Sequence, residues 1–426
     1  TGWGLSAATG VGVNLRLWSQ SAFGENLIFN ARGGTMNFWA VDATPTTYDR
    51  AQVIVAGGSI TQKNYATGSG TTTVSVDSTC PSQVNYVMVS DASRFTIAFG
   101  CNDPTGVVST VVLDPLMVRW SDQGNAYQWV PAVTNQAGEY TLSNGSFIMG
   151  ARATRQEILV WTDSSLYSLQ YVGAPIVWGG QLVGESLSIV GQNAVAYSNG
   201  VSYWMGKDKF YKYDGRTQTL NCDLRRYVFE DINTQQYAQV CSGTNEGFNE
   251  VWWFYCSEGS DLIDKYVVYN YVENVWYYGN MARTAWLDSG LRNYPLAATY
   301  NNNLVNHEQG LDDNATATTL PIESWIISSQ FDLDDGHNFM FVWRVLPDIT
   351  FEGSTATSPS ATMYLLPLKN SGSGYSVNSA TNANHSVAND SFASITRIAV
   401  LPVEEYTGQI FTRVRGRQMS IQIEST

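Results

Sequence analysis

Histidine and charged residues are scarce in this sequence, and each scarcity argues against a class of function. The 426 residues include three histidines, His307, His337 and His385. None of them lies in a G-x-S-x-G or H-E-x-x-H motif, so the sequence predicts neither a hydrolase triad nor a zinc-protease site. We expect all three to be solvated loop residues. Charged residues make up 14% of the chain, against about 25% in an average soluble domain.

Basic residues are in deficit as well. The chain has 23 Lys and Arg against 37 Asp and Glu, which gives a formal net charge of −14. A protein that holds nucleic acid by its phosphates needs clustered Lys and Arg, so the balance argues against DNA binding as the main function. It does not argue against DNA passing nearby, because an acidic wall repels phosphate and leaves the polymer free to slide.

Cysteine spacing and apolar runs exclude further classes. The five cysteines, at positions 80, 101, 222, 241 and 256, show no C-x-x-C pair, so neither a zinc site nor a redox pair is predicted. Cys241 and Cys256 flank a predicted hairpin turn and can face each other, but free buried thiols are the favoured interpretation, in keeping with a reducing cytoplasm. No apolar run reaches 18 residues, so no transmembrane helix is predicted. We expect no metal and no cofactor.

What the sequence does contain is aromatic strand repeats, concentrated between Arg152 and Gly279. Short runs rich in Val, Ile, Tyr, Trp and Phe alternate with polar or glycine-containing turns, which indicates antiparallel hairpins. Residues 195–198 and 201–205 are joined by Asn199-Gly200, the dipeptide that suits a type I′ turn. The sequence therefore predicts a two-residue hairpin at this point.

A succession of three- or four-stranded sheets with an aromatic core in each is typical of propeller blades. We therefore predict an all-β protein: a β-propeller-like ring of antiparallel hairpin blades with additional β-rich segments. An ordinary β-sandwich is the alternative. Helix content should be low, with one short candidate helix around residues 224–235.

Composition divides the chain into four segments. Residues 1–42 are predicted to hold opening propeller strands at 13–18, 26–30 and 36–41, residues 43–80 an inserted loop or small subdomain, and residues 81–300 the propeller blades. The polar, Asn-rich and Ser-rich residues 301–426 are predicted to form further antiparallel sheet, which is either a set of closing blades or a second β-domain.

Three stretches carry candidate chemistry. GVSYWMGK at 200–207 lacks the spacing of a phosphate-binding loop. Ser121-Asp122-Gln123-Gly124 with Trp129 approaches an Asp-box turn, but the aspartate is one place early and the pattern does not recur. Arg413, Arg415 and Arg417 should project from one face of a strand. A nucleic-acid strip is one interpretation of these arginines, and ion pairs to a neighbouring subunit or plain solvation is the favoured one.

Several long runs resemble the tail nozzle family of short-tailed bacteriophages, also called tail hub or tail tubular protein B. The runs are LRLWSQSAFGENLIFNARGG at 15–34, TRQEILVWTDSSLYSLQYVG at 154–173, WMGKDKFYKYDGRTQTL at 204–220, RRYVFEDIN at 225–233, NEVWWFYC at 249–256, YVVYNYVENVWYYG at 266–279, DGHNFMFVWRVLPDITFEGS at 335–354 and TRVRGRQMSIQIEST at 412–426. The resemblance covers nearly the whole chain.

The resemblance implies a structural virion protein of the phage tail, assembled in the host cytoplasm as a ring, expected to be a homohexamer. Its acidic channel would conduct double-stranded DNA during ejection without binding it specifically. Its expected partners are further copies of itself, the adaptor and portal complex, and tail fibres or spikes. The family has no catalytic residues to carry over, so no enzyme is predicted. Its chains extend further at both ends, so we expect the segments that touch the adaptor or gate the exit to lie outside this sequence.

A propeller-type glycan-binding or glycan-degrading tail protein is the alternative function. Exposed aromatic residues can form a shelf for sugars. A glycosidase would need two carboxylates flanking a cleft, and among 37 acidic residues spacing alone does not select a pair.

Overall fold

The computed structural model of the chain describes residues 15–41, 50–68, 70–90, 93–102, 112–290, 292–310, 312–313, 320–334, 336–354, 356–368 and 398–425. It is 52% strand and 5% helix, which confirms the predicted all-β class and the low helix content. The chain forms two compact units. The first comprises residues 1–225 and 232–295, and the second comprises residues 226–231 and 296–426.

The first unit is built from four-stranded antiparallel sheets, each with its strands in sequence order. Blade 1 comprises β1 (Trp18–Phe23), β2 (Asn26–Ala31), β3 (Met36–Trp39) and β4 (Gln52–Val53), and the hairpin of β5 (Ser59–Lys63) and β6 (Thr71–Ser75) follows it. Blade 2 comprises β7 (Val84–Val89), β8 (Thr96–Asn102), β9 (Leu113–Trp120) and β10 (Gly138–Thr141). Blade 3 comprises β11 (Ile148–Ala153), β12 (Ile158–Thr162), β13 (Ser165–Gly173) and β14 (Val177–Glu185).

Two more blades complete the described series. Blade 4 comprises β15 (Val195–Ser198), β16 (Val201–Met205), β17 (Phe210–Tyr213) and β18 (Thr217–Leu220). After it come helix α1 (Arg225–Asp231) and a 3₁₀ segment (Thr234–Gln239), where the sequence predicted the one short helix. Blade 5 comprises β19 (Cys241–Asn245), β20 (Glu250–Tyr255), β21 (Lys265–Asn270) and β22 (Val275–Asn280), with a 3₁₀ turn at Glu246–Phe248, and β23 (Ala285–Leu287) follows.

The predicted hairpin at Asn199-Gly200 is confirmed. β15 ends at Ser198 and β16 begins at Val201, and these two residues are paired across the turn. The φ angles of Asn199 and Gly200 are 49° and 82°, the paired positive values that a type I′ turn requires. The local dipeptide therefore sets the register of blade 4.

The first predicted strand was placed wrongly. The sequence placed it at 13–18, whereas β1 begins at Trp18 and pairs with β2 through the turn after Phe23; positions 13 and 14 lie outside the described residues. The buried Ser19 hydroxyl donates a hydrogen bond to the Asn30 side chain. This cross-strand contact lies between two polar residues, so apolar alternation gave no sign of it.

Aromatic side chains fill the spaces between consecutive blades. Trp161 of blade 3 packs against Trp204 of blade 4 with ring centroids 5.5 Å apart, and both side chains are fully buried. Phe210 of blade 4 lies 4.9 Å from Trp253 of blade 5. Aromatic pairs of this kind bury large apolar areas and add about 0.5–1.5 kcal/mol through their geometry. The aromatic residues that recur in the sequence therefore form the packing contacts between consecutive blades.

Arg32 connects blades that are far apart in sequence. Its Nη1 donates to the Met149 carbonyl at 2.8 Å and to the Gln192 side chain at 3.2 Å, and its Nη2 donates to the Ile148 carbonyl at 2.9 Å. Gln192 in turn donates to the Trp18 carbonyl at 3.0 Å. First strands of successive blades also contact one another, as β1 contacts β7, β7 contacts β11 and β15 contacts β19. This pattern of contacts is β-propeller-like, as predicted.

Trp286 of β23 packs against blade 5 so closely that residue 243 beneath its ring must be glycine. Its indole stacks on Trp252 at 5.7 Å and donates to the Thr244 carbonyl at 3.1 Å. A Cβ on Gly243 would lie 2.0 Å from Trp286 Cδ1. Glycine is therefore needed here for close approach of an aromatic ring, not for a special φ angle.

We expect Gly243→Ala to displace Trp286 and to destabilise the first unit by about 2 kcal/mol, in the range known for overpacking. Thermal unfolding followed by far-UV circular dichroism measures the effect. The matched control is Gly259→Ala, because a Cβ there would meet nothing within 4 Å. Equal unfolding midpoints for the two variants would show that Trp286 does not depend on this contact.

The second unit contains further antiparallel sheet. Its strands are β24 (Leu296–Ala298), β25 (Leu304–Asn306), β26 (Asp312–Asp313), β27 (Leu320–Pro321), β28 (Ser324–Ile327), β29 (Phe331–Asp332), β30 (Met340–Val345), β31 (Ser360–Leu368), β32 (Ala399–Glu404), β33 (Ile410–Gly416) and β34 (Gln418–Ser425). One sheet has the order β28-β34-β31-β32, and β30 pairs with β33. Met340 and Val414 of this pair share a buried core with Leu365 and Leu401 of the larger sheet.

Candidate functional site

The pair β30–β33 buries one face and exposes the other. Side chains alternate along a strand, so Phe341 and Trp343 of β30 point outward, as do Phe411, Arg413 and Arg415 of β33. Phe339 precedes β30, and Arg344 is exposed beside Trp343 at a register shift in the pairing. We call the exposed set the aromatic–arginine face. It consists of Phe339, Phe341, Trp343, Arg344, Phe411, Arg413 and Arg415. The exposed fractions of Phe341, Trp343 and Phe411 are 56%, 53% and 65%, which is unusual for large apolar side chains.

Arginines lie over the aromatic rings of this face. The Arg344 guanidinium is 4.8 Å from the ring of Trp343, and that of Arg415 is 4.5 Å from the ring of Phe339. Trp343 and Phe411 stack across the strand pair at 6.3 Å. Such cation–π contacts are worth about 0.5–1 kcal/mol at exposed sites. They hold each guanidinium against an aromatic ring and so pre-organise a surface for contact.

Two arginines of this face, Arg344 and Arg415, contact aromatic rings and form no ion pair with a carboxylate among the described residues. Positive charge therefore remains on this face of a protein whose net charge is −14. An acidic partner surface would complement it.

The structure places two of the three arginines of the predicted strip on the exposed face of a strand, and the third lies outside the strand. Arg413 and Arg415 lie on β33 and are exposed, as predicted, while Arg417 follows the strand and is partly buried, with its guanidinium 5.2 Å from the Phe339 ring. The partner strand β30 was not recognised as part of the site. Its residues 340–345, MFVWRV, are apolar or aromatic at the outward positions as well, and that was the available signal.

A second feature, which we call the blade 1 cleft, lies in the first unit. It has a volume of about 580 Å³, within the range of small-molecule sites. It is lined by residues of the turn between β1 and β2, the β5–β6 hairpin, the segment between β7 and β8, and the loop after β9. Its polar and aromatic lining includes Glu25, Asn26, Gln62, Tyr65, Arg94 and Tyr127.

Hydrogen bonds fix the floor of this cleft. The Tyr65 hydroxyl donates to Asn26 Oδ1 at 3.0 Å, and the Tyr127 hydroxyl donates to Gln62 Oε1 at 2.5 Å. Burial, with the Tyr65 phenol nearby, raises the pKa of Tyr127, so this phenol stays protonated and remains a donor. Lys63 Nζ lies 3.5 Å from Glu25 Oε2. The arrangement presents amides, phenols and charges, which are groups that recognise hydroxylated ligands.

The Asp-box-like stretch has a structural role beside the cleft. The Asp122 carboxylate accepts the backbone N–H of Gln136 at 2.8 Å, and the indole of Trp129, 1% exposed, donates to the Ala126 carbonyl at 2.9 Å. The loop carries Asn125 and Tyr127 into the cleft wall. Its aspartate is thus engaged in holding a turn. The GVSYWMGK stretch comprises the turn residue Gly200, strand β16 and the start of the turn after it.

The prediction of solvated histidines is wrong for His307, which follows β25 and is only 8% exposed. His337 is exposed, and His385 lies outside the described residues.

All five cysteines are free, and four are buried. Burial raises the pKa of the Cys241 and Cys256 thiols to about 12, so both stay protonated. The described residues hold no group of three or more His, Cys, Asp or Glu positioned for a metal ion.

Across the described ranges, the structure contains no helix with the length and apolar character needed to span a membrane.

No family model and no curated protein matches this chain. Solved structures similar to it include Hsv2 of Kluyveromyces lactis, 10% identical over 66% of this chain and 69% of Hsv2, with a TM-score of 0.36. Another is the extracellular domain of a one-component system from B. thetaiotaomicron, 8% identical over 72% of this chain and 33% of that one, with a TM-score of 0.41. A third is the SapL1 lectin in complex with alpha methyl fucoside, 10% identical over 68% of this chain and 95% of the lectin, with a TM-score of 0.32.

Likeness at this level carries no inference about ligand or partner. The protein is an all-β, β-propeller-like protein with a second β-rich unit, and its own blade topology establishes that class.

Proposed function

We propose that this protein is a structural virion protein, a subunit of the tail nozzle of a short-tailed bacteriophage, and that copies of it assemble into a homohexameric ring. The observation that carries the proposal is the aromatic–arginine face. The resemblance of long sequence runs to the nozzle family supports it from an independent direction. In this proposal the face docks on an acidic surface of a second copy.

The physical argument for a protein partner combines apolar area with charge. Three aromatic side chains that are each more than half exposed leave apolar surface in water, and burying it is worth about 25 cal/mol per Å². Trp and Arg are also the residues most enriched where interfaces concentrate their binding energy. A chain with 37 acidic and 23 basic residues offers acidic surface to such a face. A second copy can therefore both bury the exposed aromatic surface and bring acidic side chains to the arginines.

The same charge balance suits the proposed conduit. DNA leaving through a ring of acidic subunits would be repelled from the wall and would not adhere. Adaptor and fibres or spikes are the further partners of this proposal, and the phage tail is its location.

Oligomeric state tests the proposal. We expect the wild-type chain at about 50 μM to form discrete ring-shaped oligomers in light scattering and negative-stain images. Replacing Trp343 and Phe411 by serine, or Arg344 and Arg415 by glutamate, should weaken association at least about 30-fold, as expected for the loss of about 2 kcal/mol of central contacts. Association should also weaken as NaCl rises from 0.1 to 0.5 M, because salt screens exposed charges.

Tyr406→Ser is the matched control, since this side chain is 90% exposed in the same unit but lies outside the face. It should leave the oligomer intact. A wild-type chain that stays monomeric at this concentration and never joins tail particles would contradict the proposal. Binding of duplex DNA that disappears in the glutamate variant would instead assign the face to nucleic acid.

Saccharide binding is a second candidate function, and the blade 1 cleft is the specific observation that favours it. The cleft combines the exposed ring of Tyr65 with amide and hydroxyl groups of Gln62 and Tyr127. Titration of the protein with oligosaccharides, followed by saturation-transfer NMR, tests this function.

A further inference from the structure

We infer that the blade 1 cleft binds an acidic saccharide, with the Arg94 guanidinium pairing with the sugar carboxylate and the Tyr65 ring stacking on the sugar. The inference rests on the second candidate function and adds the chemical class of the ligand. It goes beyond the nozzle proposal, which requires no ligand at this place.

Charge selects an acidic ligand over a neutral one. Of the charged groups around the cleft, Glu25 is already paired with Lys63 at 3.5 Å. Within the described residues, Arg94 has no hydrogen-bond or ion-pair partner for its side chain. Arg94 is exposed and is one of the residues that line the cleft, and a guanidinium pairs with a carboxylate through two parallel hydrogen bonds. An anionic substituent on the ligand is the partner that fits this group.

The backbone holds Arg94 in an uncommon conformation. Its φ angle is 54°, in the left-handed region that a residue with a side chain seldom adopts. Its N–H donates to the Ser90 carbonyl at 2.6 Å, and its carbonyl accepts the N–H of Gly124 at 2.9 Å. Strain of this kind persists where the surrounding structure fixes it, often at ligand sites. Here the two backbone hydrogen bonds hold Arg94 among the residues that line the cleft.

The remaining groups suit the hydroxyls and ring of a sugar. Tyr65 is 49% exposed, and its hydroxyl is anchored on the buried Asn26, so the ring is held in place. Gln62 accepts the Tyr127 hydroxyl through Oε1, which leaves its amide N–H₂ to donate to the ligand. The volume of about 580 Å³ lies within the range of small-molecule sites.

The lining predicts binding without hydrolysis. Cleavage of a glycosidic bond needs two carboxyl groups about 5–10 Å apart. Among the described residues that line the cleft, Glu25 is the sole carboxylate, and Lys63 neutralises it. We therefore expect the saccharide to be released unchanged.

Titration calorimetry of the full chain with trigalacturonate, with neutral maltotriose and with sodium sulfate tests the inference. We expect a dissociation constant on the order of 0.1–1 mM for trigalacturonate, at least about 10-fold weaker binding of maltotriose, and no saturable binding of sulfate. Arg94→Asn should weaken trigalacturonate binding at least about 10-fold, and asparagine tolerates the left-handed backbone. Tyr65→Ala should weaken both saccharides.

Arg155→Asn is the matched control, because Arg155 is exposed on blade 3 and should leave binding unchanged. Equal affinity for the two trisaccharides, with no effect of Arg94→Asn, would overturn the acidic ligand while saccharide binding stands. Failure of both trisaccharides to bind would overturn saccharide binding as well. Sulfate binding as tight as that of trigalacturonate would make the cleft a simple anion site, and cleavage of trigalacturonate would overturn binding without hydrolysis.

Discussion

Trp204→Ala is expected to lower the free energy of unfolding of the first unit by about 4 kcal/mol, within the range for deleting a buried tryptophan. Trp204 is 0% exposed, packs against Trp161 of the preceding blade at 5.5 Å and stacks on Tyr211 of its own blade at 5.3 Å. The substitution therefore leaves a cavity at the junction of blades 3 and 4. Equilibrium urea unfolding followed by far-UV circular dichroism measures the loss.

Two further variants separate packing from hydrogen bonding at this junction. The indole nitrogens of Trp161 and Trp204 have no hydrogen-bond partner among the described residues. Trp204→Phe keeps most of the ring and removes an unpaired donor, so it should cost no more than about 2 kcal/mol. Trp343→Ala, at an indole that is 53% exposed, should leave unfolding of the first unit unchanged. A cost below about 1 kcal/mol for Trp204→Ala would show that this junction does not limit stability.

Arg32→Ala is expected to destabilise the first unit by about 3 kcal/mol, because hydrogen bonds to a charged group are each worth about 1.5–3 kcal/mol and the carbonyls left behind are partly buried. The Arg32 guanidinium donates hydrogen bonds to the carbonyls of Ile148 and Met149 and to the Gln192 side chain. Burial lowers its pKa from the ordinary value, so the desolvation of this cation opposes the gain from the three bonds. The net effect is best measured by urea unfolding of the variant against the wild type.

Arg32→Lys gives a sharper test of the same contact. Lysine keeps the charge but lacks the planar fork that reaches several acceptors at once, so we expect it to recover no more than half of the lost stability. Arg155→Ala is the control, since that arginine is exposed and should change stability by less than about 0.5 kcal/mol. If Arg32→Ala behaved like the control, the hydrogen bonds of Arg32 would contribute nothing measurable to holding the blades together.

The β class and the blade hairpins follow from local patterns. Strand pairing in blade 4 depends on the Asn199-Gly200 turn and on the alternation of the residues beside it, and both are visible in sequence. The one short helix predicted around residues 224–235 is present as α1 and the 3₁₀ segment after it. Predictions of this kind succeed because the determining contacts join residues a few positions apart.

The candidate sites depend on contacts between distant residues. The hydrogen-bond partners of Arg32 lie 116, 117 and 160 residues away in the sequence. Arg413 and Arg415 were recognised on their strand, whereas Trp343 and Phe411 become one surface only through the pairing of β30 with β33. Arg94 and Tyr65 belong to separate loops that share a cleft only in the folded chain. No periodicity encodes such neighbours.

Local sequence patterns are enough to show that this protein is a β-rich, acidic molecule whose strands pair with their immediate neighbours. Tertiary structure alone decided which side chains meet: the arginine that joins distant blades, the aromatic surface of the second unit and the lining of the cleft. The physical reason is that turn geometry and side-chain alternation act over a few residues. Burial and hydrogen bonding between blades depend on positions that exist only after the sheets have packed.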